Sequence, residues 1–390
     1  MAAWWQAVWR CLNRRRMGNR MANILFFAPD LAETAQLRRI RSFIRAGHQV
    51  RSVSMRKGPV QVDWPDLDLG EIENEQLGRR LWLALRGLGK LWGYRQQVAR
   101  ADLIIARNID MVMLALAARW MCGRRVPLVY ECLDIHGIFT GMGRKGRVAR
   151  RVERFALARV ALLVVSSPGF MTGYFSPVQG YLGRWLLLEN KLWFPGAVMP
   201  RPAAVVRQGP LVLGWVGAIR CQPSLELLCA VAGMMGDALR IEIRGVIHAH
   251  ALDDFAARIG AHPNIHYGGP YDYPAGLAGV YGACDLVWAQ DLWQRGANSD
   301  WLLPNRIYEA SWFGCPSIAV AGTQTAAKIA ADGLGYVIDA AAPDALVELL
   351  QGLTRADIAL VRHRILARPD ADFALGEAEI NAVVAMGMMQ

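Results

Sequence analysis

Three groups of residues carry the types and spacings that chemistry needs. In the first, the run Gly214-Trp215-Val216-Gly217-Ala218-Ile219-Arg220 ends an apolar stretch with a glycine turn and an arginine. Backbone amides beside Gly217 and the Arg220 guanidinium could hold a pair of phosphates, and Ser224 could cap the helix that follows and direct its N-terminus at the same place. The second group lies in residues 288–316. Gly296, Ala297, Asn298 and Ser299 read as a loop before a helix, Pro304 suits a first helical position, and Asn305 and Glu309 stand four residues apart on one helix face. A carboxylate placed there among Ile307, Tyr308, Trp312 and Phe313 could accept both hydroxyls of a ribose. In the third group, Glu131, Asp134 and His136 follow the apolar run 126–131.

These groups need strand ends to hold them, and the sequence supplies two sets. Residues 23–28, 49–55, 102–106, 126–131 and 161–165 are short, nearly continuous apolar runs separated by helical stretches at 37–46, 110–122 and 144–160. Such runs suit a parallel sheet buried on both faces. Residues 193–209 hold three prolines and little periodicity, and read as a linker. The pattern restarts with strands at 211–216, 240–245, 285–289, 316–321 and 335–338, separated by helices, and ends in helices at 344–352, 355–367 and 372–387. The expected fold is α/β, two Rossmann-like domains facing a central cleft, with ligands beyond the carboxyl ends of the strands. The expected boundaries are a basic aromatic tail at 1–20, a first domain at 21–200, a second at 201–355, and C-terminal helices at 356–390 that pack back across the domains.

Composition and motifs remove several classes. With 390 residues, 54% hydrophobic and 20% charged, the chain can bury two large cores. The seven cysteines form no CxxC pair and read as reduced core thiols of a cytosolic protein. No GxGxxG follows the first apolar run, and no GxxxxGK[ST], HExxH or GxSxG occurs, which argues against dehydrogenase, P-loop ATPase, zincin and serine hydrolase chemistry. The net charge of +11 falls to +6 without the five arginines of residues 1–20. These basic residues are not organised around RNA-recognition aromatics or a reading helix, so no nucleic-acid partner is expected.

Three segments resemble bacterial exopolysaccharide glycosyltransferases. They are GAIRCQPSLELL, IRG with the later NIHYGGPYDYP, and above all NSDWLLPNRIYEASWFGCPSIAVAGTQT. The likeness is to the succinoglycan-biosynthesis type within the broad family-4-like group of the GT-B fold, and it extends over residues 22–350. The opening APDLAETAQLRRIRSFIRAGHQV, ARNID, VYECLDIHG and LLENK fit it as well. The resemblance implies a hexosyltransferase whose co-substrate is a UDP- or GDP-linked sugar, with no cofactor and no metal. Gly217, Arg220, Ser224, Asn298, Ser299, Asn305 and Glu309 would bind the donor, with Arg220 at the diphosphate and Glu309 at the ribose. Asp134, Glu131 and Arg220 would be catalytic. Broad family likeness implies retention of anomeric configuration assisted by the leaving phosphate, while inversion would use Asp134 or Glu131 as general base. Asp30, Glu33, Arg107, Asn108 and His136 would meet the acceptor.

The sequence departs from the family pattern twice. Relatives carry a lysine shortly after the arginine, where this chain has Cys221, Gln222 and Pro223. Eight positions before the ribose glutamate, where an acid is usual, stands Trp301, and Asp300 or the 296–299 loop is expected to face the sugar instead. Two alternatives stay open: a GT-B nucleotide-sugar epimerase, which would use the same nucleotide grip, and a non-catalytic GT-B-like scaffold, supported only by these departures.

The expected partners are a polyprenyl-diphosphate-linked saccharide, envelope polysaccharide assembly proteins and an anionic membrane surface at the inner face of the plasma membrane. No apolar run reaches the roughly 18 residues of a spanning helix. Contact is expected to be peripheral, through Trp5, Trp9 and Arg14–Arg16 and through a stripe of Leu81, Trp82, Leu85, Leu88 and Trp92 bordered by Arg79, Arg80, Arg86, Lys90 and Arg95.

Overall fold

A computed structural model of the chain describes residues 21–72, 77–203 and 207–389. The five first apolar runs become the strands β1 (Asn23–Ala28), β2 (Gln49–Arg56), β4 (Leu103–Arg107), β5 (Leu128–Cys132) and β6 (Leu162–Val165), and two further strands join them, β3 (Asp66–Glu71) and β7 (Trp185–Leu187). They form one parallel sheet in the order β3-β2-β1-β4-β5-β6-β7. The central strands are buried on both faces, which is why their sequences do not alternate. The strand β3, Asp-Leu-Asp-Leu-Gly-Glu, escapes the apolar-run criterion. Its Asp66 is satisfied by the hydroxyls of Ser52 at 2.5 Å and Ser54 at 2.8 Å on β2.

The second sheet holds β8 (Leu211–Ile219), β9 (Leu239–Ile247), β10 (Ile265–Tyr267), β11 (Leu286–Trp288), β12 (Ser317–Val320) and β13 (Gly335–Ile338). It too is parallel, in the order β10-β9-β8-β11-β12-β13. The expected turn at Gly217 is not there. β8 runs on through Gly217 to Ile219, paired with β9 from Leu211↔Leu239 to Ile219↔Ile247. Gly217 is needed because φ is 113°, and the opposite Gly245 because a Cβ there would strike the Gly217 carbonyl oxygen.

Three ties among the described residues join the two halves, besides side-chain bonds such as Arg38 to Tyr273. Leu192 and Phe194, in the stretch leaving the first sheet, already pack in the second-domain core. The helix Arg355–Leu366 stays on the second domain, with Ile358 and Ile365 buried there, but the last helix, Glu377–Met388, returns to the first. Its Ile380, Val383, Val384 and Met386 share a core with Ile24, Phe26 and Leu186, and Gly387 lies close against Val129 and Leu103. The third tie runs from the second domain at 298–302. Leu302 is buried in the first-domain core, Trp301 lies against Gly169 and Gly173, and Ser167 Oγ donates to the Trp301 carbonyl.

Cys132, Cys221, Cys229, Cys284 and Cys315 are buried free thiols, and Cys122 is half-buried. None of the helices among the described residues is long and apolar enough to cross a membrane.

Candidate active site

The loops after β1, β4, β5, β8 and β11 meet in the cleft, and a buried ion cluster forms its floor on the first-domain side. Glu131 is 1% exposed. Its carboxylate receives Arg39 Nε at 2.6 Å and Arg107 Nη2 at 3.0 Å. Burial alone would raise this carboxyl, but the charges of Arg107 and Arg39 outweigh it and hold it below the ordinary carboxylate range. Glu131 is therefore corrected from general base to the centre of a clamp, since both its oxygens are engaged by permanent cations. Arg107 is likewise buried at 3% exposure and 3.9 Å from Glu33, so it organises the wall from within. Asn108 opens the next helix at φ 64°. Asp30 accepts the amides of Ala32 and Lys57, both at 3.1 Å, and so joins the ends of β1 and β2.

Asp134 is the carboxylate left facing the cleft. Asp134 is exposed, yet the protein crowded around its carboxyl pushes it up, against the pull of the Asn298 hydrogen bond and the Arg220 charge. Asn298 reaches over from the second domain. Its Nδ2 donates to Asp134 Oδ1 at 3.1 Å and its Oδ1 accepts the Ile135 amide at 2.8 Å. Asn298 is thus spent on the opposite wall rather than on a donor. His136 is exposed and its Nδ1 accepts the Ile138 amide at 3.2 Å.

On the second-domain side, Glu309 lies in the helix Asn305–Trp312, with Pro304 as its N-cap rather than its first residue. Glu309 is 6% exposed and accepts Tyr281 OH on Oε2 at 2.8 Å. Burial raises its carboxyl, opposed by the Arg38 charge, the Tyr281 hydrogen bond and the Arg306 charge. One turn earlier, Asn305 and Arg306 are half-buried, and Arg306 Nη2 would lie 3.9 Å from a Cβ on Gly217. Arg220, just beyond β8, lies 4.7 Å over the Trp293 ring, in a stacking arrangement that holds its guanidinium. Two cations, Arg220 and Arg306, and the buried Glu309 carboxylate therefore lie near the end of β8 and along the 305–312 helix.

Three expectations for the donor side are corrected. Ser224 neither caps its helix nor faces a ligand. The helix begins at Gln222 with Cys221 as N-cap, and Ser224 is buried in order to accept Trp288 Nε1 at 3.1 Å. Ser299 is 1% exposed, donates to Asp291 Oδ1 at 2.7 Å and accepts the Gln294 amide at 2.7 Å, so it braces its own loop. Asp300 does the same, through Arg295 at 2.9 Å and the Gly296 amide at 2.7 Å. The carboxylate pairs Asp66/Asp68 and Asp370/Asp372 have chelating spacing, but Asp68 pairs with Arg56, Asp370 with Arg201 and Asp372 with Arg368.

Known proteins match this architecture. The glycosyl transferase 4-like domain family matches residues 32–178. Over 343 residues, 86% of this chain and 85% of the relative, the sequence is 35% identical to the succinoglycan biosynthesis protein ExoL of Rhizobium meliloti strain 1021. The chain belongs to the ExoL family of glycosyltransferases. Among solved structures, HepE of Anabaena in complex with UDP and glucose superposes with a TM-score of 0.66 at 15% identity, covering 93% of this chain and 98% of that one. Sucrose-phosphate synthase of Thermosynechococcus elongatus superposes at 0.69 and 14% identity, covering 95% and 97%. The fold of this glycosyltransferase is accordingly GT-B.

Several residues of the site give no sequence signal of their own. Arg38 crosses from the first domain to donate to Tyr273 OH and lies 5.0 Å over its ring, close enough for its charge to act on Glu309. Arg39 reads as one more basic residue of an amphipathic helix, yet it is 5% exposed and also reaches Asn190 Oδ1 at 3.3 Å. Arg306 reads only as a polar group near a helix start, until the end of β8 brings Gly217 beside it.

Proposed function

We propose that this glycosyltransferase moves a hexose from a UDP- or GDP-linked donor to a growing polyprenyl-diphosphate-linked saccharide in exopolysaccharide assembly, at the inner face of the plasma membrane. The observation that carries the reading is that Arg306 lies beside Gly217 near the end of β8, with Glu309 within reach of the Arg306 charge, Arg220 just beyond the strand and Asp134 across the cleft. Glu309 keeps Oε2 on Tyr281 and offers its other oxygen to the ribose. Arg220 and Arg306 hold the diphosphate. The bond from the anomeric carbon to the diphosphate oxygen breaks, and one to the acceptor hydroxyl oxygen forms on the same face. The hydroxyl proton passes to the departing diphosphate, so configuration is retained. The two guanidiniums stabilise the charge that develops on the leaving group, and Asp134, held by Asn298, orients the acceptor hydroxyl.

Arg306 supplies the second cation that the missing lysine would have given, and Trp301 serves the join between domains in place of a sugar contact. Both observations favour an active transferase over a scaffold. Donor labelled in its sugar, UDP-linked first, is incubated with a lipid-linked oligosaccharide acceptor. Label is expected to move into the organic-extractable product only when acceptor is present. Conversion of the donor to a second nucleotide sugar without acceptor would assign an epimerase instead.

A further inference from the structure

The helix Arg144–Leu157 shows solvent what an amphipathic helix ordinarily hides. Val148, Val152 and Phe155 recur on one side and are 59%, 38% and 47% exposed. The opposite side buries Glu153, Ala156 and Leu157 against the first-domain core. Arg144, Lys145 and Arg151 flank the exposed ridge, and among the described residues no carboxylate pairs with any of them. Between Ile135 and Leu188 the chain has eight Lys and Arg but one acid, Glu153, and it is buried. The ridge is continued at both ends. Met142 stands 90% exposed before the helix. After it, Arg159 lies 3.6 Å over the Phe155 ring, and Arg119 donates to the Arg159 carbonyl at 3.3 Å, which brings the 83% exposed Trp120 to the same end.

We propose that this face docks the protein on an anionic lipid bilayer. A polyanion such as RNA would use the cations but gain nothing from a Val-Val-Phe ridge. A bilayer uses both, with the apolar side chains entering the acyl boundary and the long basic side chains reaching back to the headgroups. The place in the fold suits a lipid-borne substrate. The helix is preceded by the turn Gly137–Thr140, three residues past Asp134, and Arg150 fastens the two by donating to the carbonyls of Phe139 and Gly141, both at 2.8 Å. The purpose of docking rests on the lipid-linked acceptor proposed above, but the docking itself does not.

This surface differs from those expected from sequence. The stretch 1–20 lies outside the described residues, as do the side chains of Leu81, Trp82, Leu85, Arg79 and Arg80. The described part of the helix Leu77–Arg100 turns Leu83, Leu91 and Val98 inward and leaves Leu88 half-buried. Lys90 donates to the Asp68 carbonyl at 2.6 Å, and Trp92, exposed, is covered by Arg95 at 5.1 Å.

The test is co-sedimentation of the full chain with vesicles of equal parts phosphatidylglycerol and phosphatidylcholine, and with phosphatidylcholine alone. The wild type is expected to sediment with the anionic vesicles and far less with the neutral ones. The combined change Arg144→Gln, Lys145→Gln, Arg151→Gln is expected to lower the partition coefficient by about tenfold or more at low salt. The pair Val148→Ser, Phe155→Ser is expected to remove the fraction that resists high salt. Circular dichroism checks that these surface variants fold. Transfer to a short-chain, detergent-soluble acceptor should be unchanged in both, and its absence in the wild type would sink the transfer reading without touching the docking. Wild-type sedimentation retained by both variants, no sedimentation of the wild type, or equal binding to neutral vesicles would each overturn the proposal. So would binding of a mixed-sequence oligonucleotide that is lost in the glutamine variant while vesicle binding is not.

Discussion

Replacing Glu309 by Gln is expected to weaken UDP or GDP binding by about 10- to 150-fold, because a ribose hydroxyl then loses a hydrogen bond to a charged acceptor, about 1.5–3 kcal/mol. The substitution conserves shape and keeps an oxygen for Tyr281 OH. It also removes a buried charge that burial already disfavours, so the melting temperature should not fall. The same shift gives a pH signature. The carboxyl titrates above the usual carboxylate range, and ribose binding needs it charged. Donor affinity in the wild type should therefore fall as the pH is lowered through that raised value, and the dependence should be missing in the variant. Unchanged affinity would place Glu309 outside the donor site.

Glu131→Gln is expected to act on stability, at about 3–5 kcal/mol, since it leaves Arg39 and Arg107 buried with only the half-exposed Glu33, 3.9 Å from Arg107, in opposition. Urea unfolding checks this. The linkage sign follows from the lowered carboxyl. In the wild type the clamp contributes fully above the ordinary Glu value of 4.5 and is lost as the pH falls through the depressed native value. The acid slope of stability should flatten in the variant. A variant with normal unfolding and abolished turnover would restore Glu131 to the role of general base and remove it from the clamp.

The fold was legible where burial on both faces left an unambiguous apolar run, as in Leu103–Arg107 or Leu213–Val216. It was not legible in β3, where an acidic strand is made acceptable by two hydroxyls on its neighbour. Glu309 could be read from its surroundings, because a carboxylate inside an apolar helix demands a reason. Ser224 was misread for a physical reason too. A serine near a helix start looks like a cap, but the indole N–H of Trp288, fully buried on β11, needs an acceptor, and that partner is 64 residues away. Trp301 and Asn298 act across the domain join, and local spacing says nothing about contacts of that kind. The same holds for Val148, Val152 and Phe155. Their periodicity is that of any packed helix, and only the tertiary fold shows that, among the described residues, they stay largely exposed.

Calorimetric titration of the full chain with UDP, GDP and ADP tests the nucleoside-diphosphate site in the second domain. Saturable binding of UDP or GDP is expected, weakened when Arg220 and Arg306 are each replaced by Gln, with the fold intact. Absence of heat from all three nucleotides at millimolar concentration, or binding indifferent to both arginines, would contradict it.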